Sequence, residues 1–356
     1  MGSVSIPQKQ TAVWIDRPNP EAKFTIRDDV PVPTPGEDDV LVKIEYSGLC
    51  HSDVSNMMGH HPMTVHIPGH EGIGHVVAKG SRVPSTSHKL GDRVGIKWIH
   101  STCHACAICE RGDETLQTNC PHQHNSGRDR DGTLQQYVAV PARHASPIPE
   151  GLGGEVAAPL LCAGLTLYSA VGKSRTKEGD WIVISGGGGG LGHIGVQVAV
   201  RRGLKVIAID SEDKRQFCEK KLAASAFFDF RDPDLEAKLK ALTVGLGAHA
   251  AICTSGSEAG YTQAVPLLRP GGTLVCVGLP SGGYTIPLRP ADMVNRGLHV
   301  IGSAVGNETE LQELLRLAAE GAVVPVIKVM PLSRFGEAME VVKESKITGK
   351  IVIKMP

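Results

Sequence analysis

The hydrophobic rhythm of the chain changes once, near its middle. From Thr11 to Tyr46 short apolar runs alternate with turn signals. A-V-W-I is followed by the Pro-Gly loop P-V-P-T-P-G-E-D-D and then by V-L-V-K-I-E-Y, whose period of two is that of a half-buried strand. G-I-G-H-V-V-A-K-G and D-R-V-G-I-K-W continue the pattern between Gly, Pro and Ser, so the first half reads as β-rich. After P-I-P-E-G-L the pattern becomes one of buried strands alternating with helices: W-I-V-I, the helical face of I-G-V-Q-V-A-V-R-R, then K-V-I-A-I-D, A-H-A-A-I-C-T, G-G-T-L-V-C-V-G-L and L-H-V-I-G-S. Such alternation predicts a doubly wound parallel sheet. The tail adds a helix, T-E-L-Q-E-L-L-R-L-A-A-E-G, and a last strand, G-K-I-V-I-K.

Composition supports this division. A chain of 356 residues is long for one domain, and 42 glycines against 14 aromatic residues suit the tight strand-to-helix turns of α/β architecture. Thirty-seven basic residues balance thirty-seven acidic ones, which argues against nucleic acid or an anionic membrane as partner and for a small molecule. No apolar run approaches the roughly 20 residues of a membrane span, and M-G-S-V-S-I-P-Q-K-Q-T lacks the apolar core of a secretory signal. Nine cysteines in such a chain point to metal binding in a reducing compartment, and a cytoplasmic protein is expected.

Chemistry concentrates at three places. Between W-I-V-I and its following helix, Gly187, Gly189 and Gly192 satisfy G-x-G-x-x-G, which lets the backbone approach a pyrophosphate at a helix N-terminus. Asp210, eighteen residues after Gly192, can accept hydrogen bonds from an adenosine ribose and would repel a 2′-phosphate, so NAD is expected over NADP. In C-H-A-C-A-I-C-E-R-G-D-E-T-L-Q-T-N-C, the thiols of Cys103, Cys106, Cys109 and Cys120 complete a closed tetrahedral set suited to a structural zinc, with an iron–sulfur cluster as the competing assignment. The third place joins Cys50 in C-H-S-D to His70 and Glu71 in G-H-E-G, with Cys162 in P-L-L-C-A-G as a further donor. Two cysteines, one histidine and an open position are the ligand set of a catalytic zinc. Asp53, three residues after Cys50, can accept the free N–H of a ligating imidazole. The other histidines are read as solvated or core residues, with His61 a candidate pocket wall, and Cys218, Cys253 and Cys276 as ordinary buried residues.

With C-H-S-D, G-H-E-G, G-I-K-W, the cysteine loop, G-T-L-Q-Q-Y, L-C-A-G-L-T, I-S-G-G-G-G-G-L-G and V-I-G-S-A-V-G-N in hand, the chain resembles the zinc-containing medium-chain alcohol dehydrogenases over nearly its whole length. The likeness is nearest to their tetrameric yeast and fungal type. It implies a GroES-like catalytic domain over residues 1–155, to which 301–356 return, with a Rossmann domain inserted over 156–300. It further implies a homotetramer, two zinc ions per subunit, and hydride transfer between NAD and a primary or secondary alcohol or its aldehyde or ketone. By matching motif, Cys50, His70 and Cys162 take the places of catalytic zinc ligands with Glu71 beside them, and Ser52 that of the hydroxyl meeting the alcohol oxygen. His51 and Lys350 fall near the pyrophosphate. Gly189, Gly190, Leu191, Asp210 and Arg215 meet the adenosine half, and Thr166, Leu279, Ser303 and Val305 the nicotinamide half.

Three departures stand out. Ser55 occupies the place of the family's relay histidine. The loop before Cys120 is three residues longer than usual. Met57 and His61 replace aromatic residues of the pocket while Trp98 remains, which implies a wider pocket. A polyol dehydrogenase is the nearest competing enzyme. A metal-free quinone reductase would lack both cysteine sets, and a non-catalytic binding or sensor protein would have lost a ligand or the Ser52 hydroxyl.

Overall fold

The structure, a computed structural model, describes residues 5–111, 118–280, 283–344 and 347–356. The enlarged loop before Cys120 therefore lies largely outside the described residues. The chain divides into two compact units, Met1–Cys162 with Asn307–Ala319 and Ile327–Pro356, and Ala163–Gly306 with Glu320–Val326.

In the first unit the strand Asp39–Leu49 is the organising element, and its alternation does what the period of two predicts. Val40, Val42 and Ile44 are buried on one face, in a core shared with Ile351, Ile353 and Phe335. Lys350–Lys354 and Gly72–Lys79 pair with this strand on either side, both antiparallel. Ile327–Pro331 continues the sheet beyond Lys350–Lys354, Arg93–Ile96 and Ser146–Pro147 continue it on the other side, and Tyr137–Pro141 pairs with the strand's first half. Beyond Leu49 the chain turns at Cys50 into the short helix His51–Met57. The Cys50 turn thus leaves one strand where the stretch carrying His70 and Glu71 enters its antiparallel neighbour.

The second unit holds six parallel strands in the spatial order Ala226–Asp229, Lys205–Asp210, Trp181–Ser185, Ala248–Cys253, Leu268–Cys276, His299–Gly302. Numbered along the chain this is 3-2-1-4-5-6, the Rossmann order. Ile182, Val183 and Ile184 are all fully buried, as a strand covered on both faces requires. The order reverses beside Trp181–Ser185, and the glycine-rich turn leaves from that strand's C-terminal end. On the following helix Gly192–Arg201, a Cβ at Gly195 would meet Leu167 at 2.6 Å, so this helix packs closely on Ala163–Lys173.

The units part at different residues from those the sequence suggested. The first unit runs past 155 to Cys162 because the turns Gly154–Ala157 and Ala158–Leu161 bury Leu160 and Leu161 against its sheet, where a Cβ at Gly95 would strike Leu161. Residues 301–306 stay with the sixth strand of the second unit. Glu320–Val326, expected to return with the tail, also belongs there: the Val324 N–H donates to Gln197, and the Val326 N–H donates to Nε2 of His193. Among the described residues no single helix is long and apolar enough to cross a membrane.

Candidate active site

Cys50 is the residue at which strand becomes helix. Its N–H donates to Asp53 Oδ2 at 3.0 Å, which fixes the turn and places the thiol under the helix start. The other carboxylate oxygen of Asp53 accepts from the Gly69 N–H at 3.2 Å and from His70 Nδ1 at 2.7 Å. With Nδ1 carrying the proton, Nε2 presents its lone pair to the cluster and lies 3.3 Å from Cys162 Sγ. Ligand atoms of Cys50, His70, Glu71 and Cys162 lie within 4.8 Å of one another, and all four residues are buried. Ser52, exposed on the first helical turn, has its Oγ 3.8 Å from Cys50 Sγ. Trp98 packs edge-on against the His70 ring, the centroids 5.1 Å apart.

The electrostatics of this cluster call for a cation. The Cys162 thiol donates to Cys50 and holds it well below the ordinary thiol range against the effect of burial, while the same contact and burial push Cys162 well up. Burial, opposed by the Lys350 charge, pushes Glu71 up to about 7. Burial would lower His70, but the Asp53 carboxylate outweighs it and holds the imidazole well above its ordinary range. Lys350 Nζ donates to Glu71 Oε1 at 2.6 Å, while Oε2 of Glu71 is buried with no partner among the described residues. Three groups that can turn anionic thus meet one ammonium and the His70 imidazole among buried side chains, and a divalent ion displacing the protons they share would satisfy both the donor atoms and the orphaned oxygen. The donor set fits zinc. Gly48 is part of the fit: a Cβ there would sit 2.0 Å from Glu71 Oε2.

The second cluster, Cys103, Cys106, Cys109 and Cys120, is local in the chain and only partly buried. Its S···S separations of 4.0, 3.9 and 3.6 Å match the roughly 3.8 Å edges of a tetrahedron built on Zn–S bonds of about 2.3 Å. Sulfurs this close suit a single ion better than a multi-iron cluster. A hydrogen bond from the Ala105 N–H lowers Cys103 to about 6, and desolvation with the neighbouring thiols pushes Cys109 up to about 12, the mark of four thiols sharing protons. All nine cysteines are free of disulfides.

In the second unit the turn Gly186–Gly192 follows the expected mechanics, with one addition. Gly186 carries the positive φ of +78°, and Gly192 lets the helix start against it, since a Cβ at Gly192 would lie 2.0 Å from the Gly186 carbonyl oxygen. Asp210 ends its strand with Oδ2 accepting from the Gly188 N–H at 2.8 Å and Lys214 Nζ 3.2 Å from Oδ1. Leu279, Ser303 and Val305 follow the C-terminal ends of the last two strands, where ligands of open α/β sheets bind. Val305 has a φ of +41°, a strained value for a β-branched residue. Thr166 is buried on the helix Ala163–Lys173, and Gly187, Gly189, Gly190 and Leu191 lie on the turn itself.

Four expected placements change. Lys350 is buried against Glu71 in the first cluster and is not a free cation for a pyrophosphate; its strand neighbours the strand that delivers Cys50. Arg215 is held by Glu212 through two hydrogen bonds and stacks over Phe227, so its guanidinium is already engaged, and Lys214 is the cation beside Asp210. Met57 is 1% exposed and belongs to the apolar core, not to a pocket wall. His61 is exposed; Trp98 alone of the three suggested pocket residues touches the cluster. Sequence reasoning missed Gly48 and Gly186.

Comparison with known proteins accords with this geometry. Residues 36–150 match the alcohol dehydrogenase GroES-like domain, and residues 190–320 match the zinc-binding dehydrogenase family. An alcohol dehydrogenase of Schizosaccharomyces pombe is 41% identical over 99% of both chains, and alcohol dehydrogenase 1 of Neurospora crassa is likewise 41% identical over 99% of both. Among solved structures, the alcohol dehydrogenase of the archaeon Aeropyrum pernix superposes with a TM-score of 0.85 at 28% identity, covering 97% of this chain and 99% of its own. The chain belongs to the zinc-containing medium-chain alcohol dehydrogenases and is an oxidoreductase acting on alcohols.

Proposed function

We propose that the protein interconverts primary or secondary alcohols and their aldehydes or ketones with NAD, holding one zinc at Cys50, His70 and Cys162 beside Glu71 and a second at Cys103, Cys106, Cys109 and Cys120. The observation that carries the reading is the buried convergence of Cys50, His70, Glu71 and Cys162 within 4.8 Å, next to an exposed hydroxyl. When bound, zinc supplies Lewis-acid polarisation of the substrate oxygen and the nicotinamide supplies a hydride-accepting ring.

The remaining chemistry belongs to the chain. Asp53 keeps the His70 tautomer that donates its Nε2 lone pair. Ser52 receives the proton of the substrate hydroxyl and, being exposed, releases it to solvent, with half-buried Ser55 on the same helix as a second hydroxyl along that route. Lys350 balances the carboxylate of Glu71, which is free to hold a proton near neutral pH. In the second unit Gly187, Gly189 and Gly192 admit the pyrophosphate. Asp210, flanked by Lys214, receives the adenosine ribose and disfavours a 2′-phosphate. Thr166, Leu279, Ser303 and Val305 are assigned to the nicotinamide. Resemblance supports a cytoplasmic homotetramer, which light scattering on purified protein tests.

Metal analysis combined with an NAD-linked assay over primary, secondary, aromatic and polyhydric alcohols tests the whole reading. Two zinc ions per chain and turnover with NAD exceeding that with NADP are expected. A metal-free protein, or no turnover of any alcohol, would overturn it.

A further inference from the structure

Trp98 meets the cluster through His70 and carries the Arg128 guanidinium over its ring. Its ring meets His70 edge-on at 5.1 Å, and the guanidinium carbon of Arg128 lies 5.5 Å from its centroid. The guanidinium is thus at most about 11 Å from the His70 ring, less wherever the path bends. Only one edge of Arg128 is held, by Asp129 Oδ2 to Nη2 at 3.2 Å. The other oxygen of Asp129 is occupied by the Asn125 N–H at 3.0 Å and by His124 Nδ1 at 3.1 Å. Among the described residues Nε and Nη1 of Arg128 have no protein partner, and the side chain is 35% exposed. Neighbouring Arg130 differs, since it donates to the Asp129 carbonyl and to His124 Nε2. The backbone of the Arg128 loop is pinned: the Thr64 N–H donates to its carbonyl at 2.7 Å, and the Ser126 N–H to the Trp98 carbonyl at 2.9 Å.

A guanidinium with a free edge on an aromatic wall is a receptor for a carboxylate, which it takes in paired hydrogen bonds. We propose that Arg128 reads an anionic group on the substrate, so that the preferred alcohols and carbonyl compounds carry a carboxylate roughly two to five C–C bonds, at ~1.5 Å each, from the reacting carbon. This rests on the assignment of Cys50, His70 and Cys162 as the reacting centre, and names the substrate class of that centre. A neutral substrate of the same length leaves Nε and Nη1 of Arg128 to water. An acidic one accepts from one of these two together with the second N–H of Nη2, and its reacting end is held towards the cluster.

The test uses the zinc-loaded enzyme with 4-hydroxybutanoate, 5-hydroxypentanoate and 6-hydroxyhexanoate, each against its methyl ester and the unsubstituted alcohol of equal length. At least one acid is expected to exceed its ester by about tenfold or more in kcat/KM. Arg128→Met is expected to erase that preference, mostly through KM, while changing kcat/KM for the unsubstituted alcohols by less than about threefold; Arg128→Lys should restore part of it. Binding of hexanoate and hexanamide, followed by tryptophan fluorescence, supplies a readout independent of turnover: the acid should bind more tightly to the unaltered protein and equally to Arg128→Met. Equal kcat/KM for acids and esters, or equal binding of hexanoate and hexanamide before substitution, overturns the proposal and leaves the dehydrogenase reading standing. Failure of every alcohol to react overturns both.

Discussion

The two clusters of the first unit that could hold a metal are built on opposite plans. Cys103, Cys106, Cys109 and Cys120 come from one short stretch, offer sulfur only, and remain partly exposed. Cys50, His70, Glu71 and Cys162 come from three separated segments, mix sulfur, nitrogen and oxygen, and are buried beside Lys350, Asp53 and Ser52. A site that only fastens a loop needs four equal donors and nothing around them. A site that turns over substrate needs a spare position, a fixed imidazole and proton-carrying neighbours. The difference between clusters is therefore chiefly one of surroundings.

Cutting one ligand from each cluster breaks the comparison most directly. Cys162→Ser is expected to lower kcat/KM by about a thousandfold or more and to halve the zinc content with melting temperature little changed. Cys106→Ser should also halve the zinc but act on stability, lowering Tm by roughly 10 °C. Zinc analysis, kinetics and thermal melts on both variants decide the matter, and an exchange of the two phenotypes would reverse the assignment. The next effect comes from the surroundings alone. Asp53→Asn keeps every ligand but frees the His70 ring, with a loss of about 10- to 100-fold in activity or in affinity for the buried zinc, measured by chelator competition.

Gly48→Ala pushes on Glu71 without touching a thiol, since the new Cβ would lie 2.0 Å from its Oε2. Overpacking of about 1–3 kcal/mol and a several-fold drop in turnover are expected, with the Cys103 cluster keeping its metal. The smallest effect lies outside both clusters, at Glu308. Burial would raise its carboxyl, but the Lys97 charge and hydrogen bonds from Gln312 and Ser146 hold it below the ordinary range. A depressed carboxylate stabilises the fold above its unfolded pKa of about 4.5 and loses that contribution as pH falls through the folded value. The Tm difference between the unaltered protein and Glu308→Gln should therefore be no more than about 2 °C near pH 7 and shrink as pH falls below the unfolded value of about 4.5. A difference that grew on acidification would contradict this.

The sequence made these features visible in proportion to how local they are. Cys103 to Cys120 announce themselves by spacing, and the buried strands and glycine turn by period and by punctuation. Cys162 was reached only by asking what a two-ligand centre lacked. Lys350 and Glu71 are 279 positions apart, and no spacing rule joins them; only the pairing of Lys350–Lys354 with Asp39–Leu49 brings them together. Met57 was misplaced for a different reason, because a short helix turns one face to the core and the other to solvent, and the pattern of seven residues is too brief to say which. Arg215 could have been read correctly, since Glu212 stands three residues before it. The unit boundary was missed because Gly154–Leu161 has the apolar composition of either core.

Cys162 closes the first unit and Ala163 opens the second, so a donor to the buried cluster is the last residue before the chain crosses over. Anyone transplanting the nucleotide-binding insert between relatives would have to cut after position 162. A splice a few residues earlier would carry the thiol away with the graft, and the recipient scaffold would then depend on its guest for a ligand.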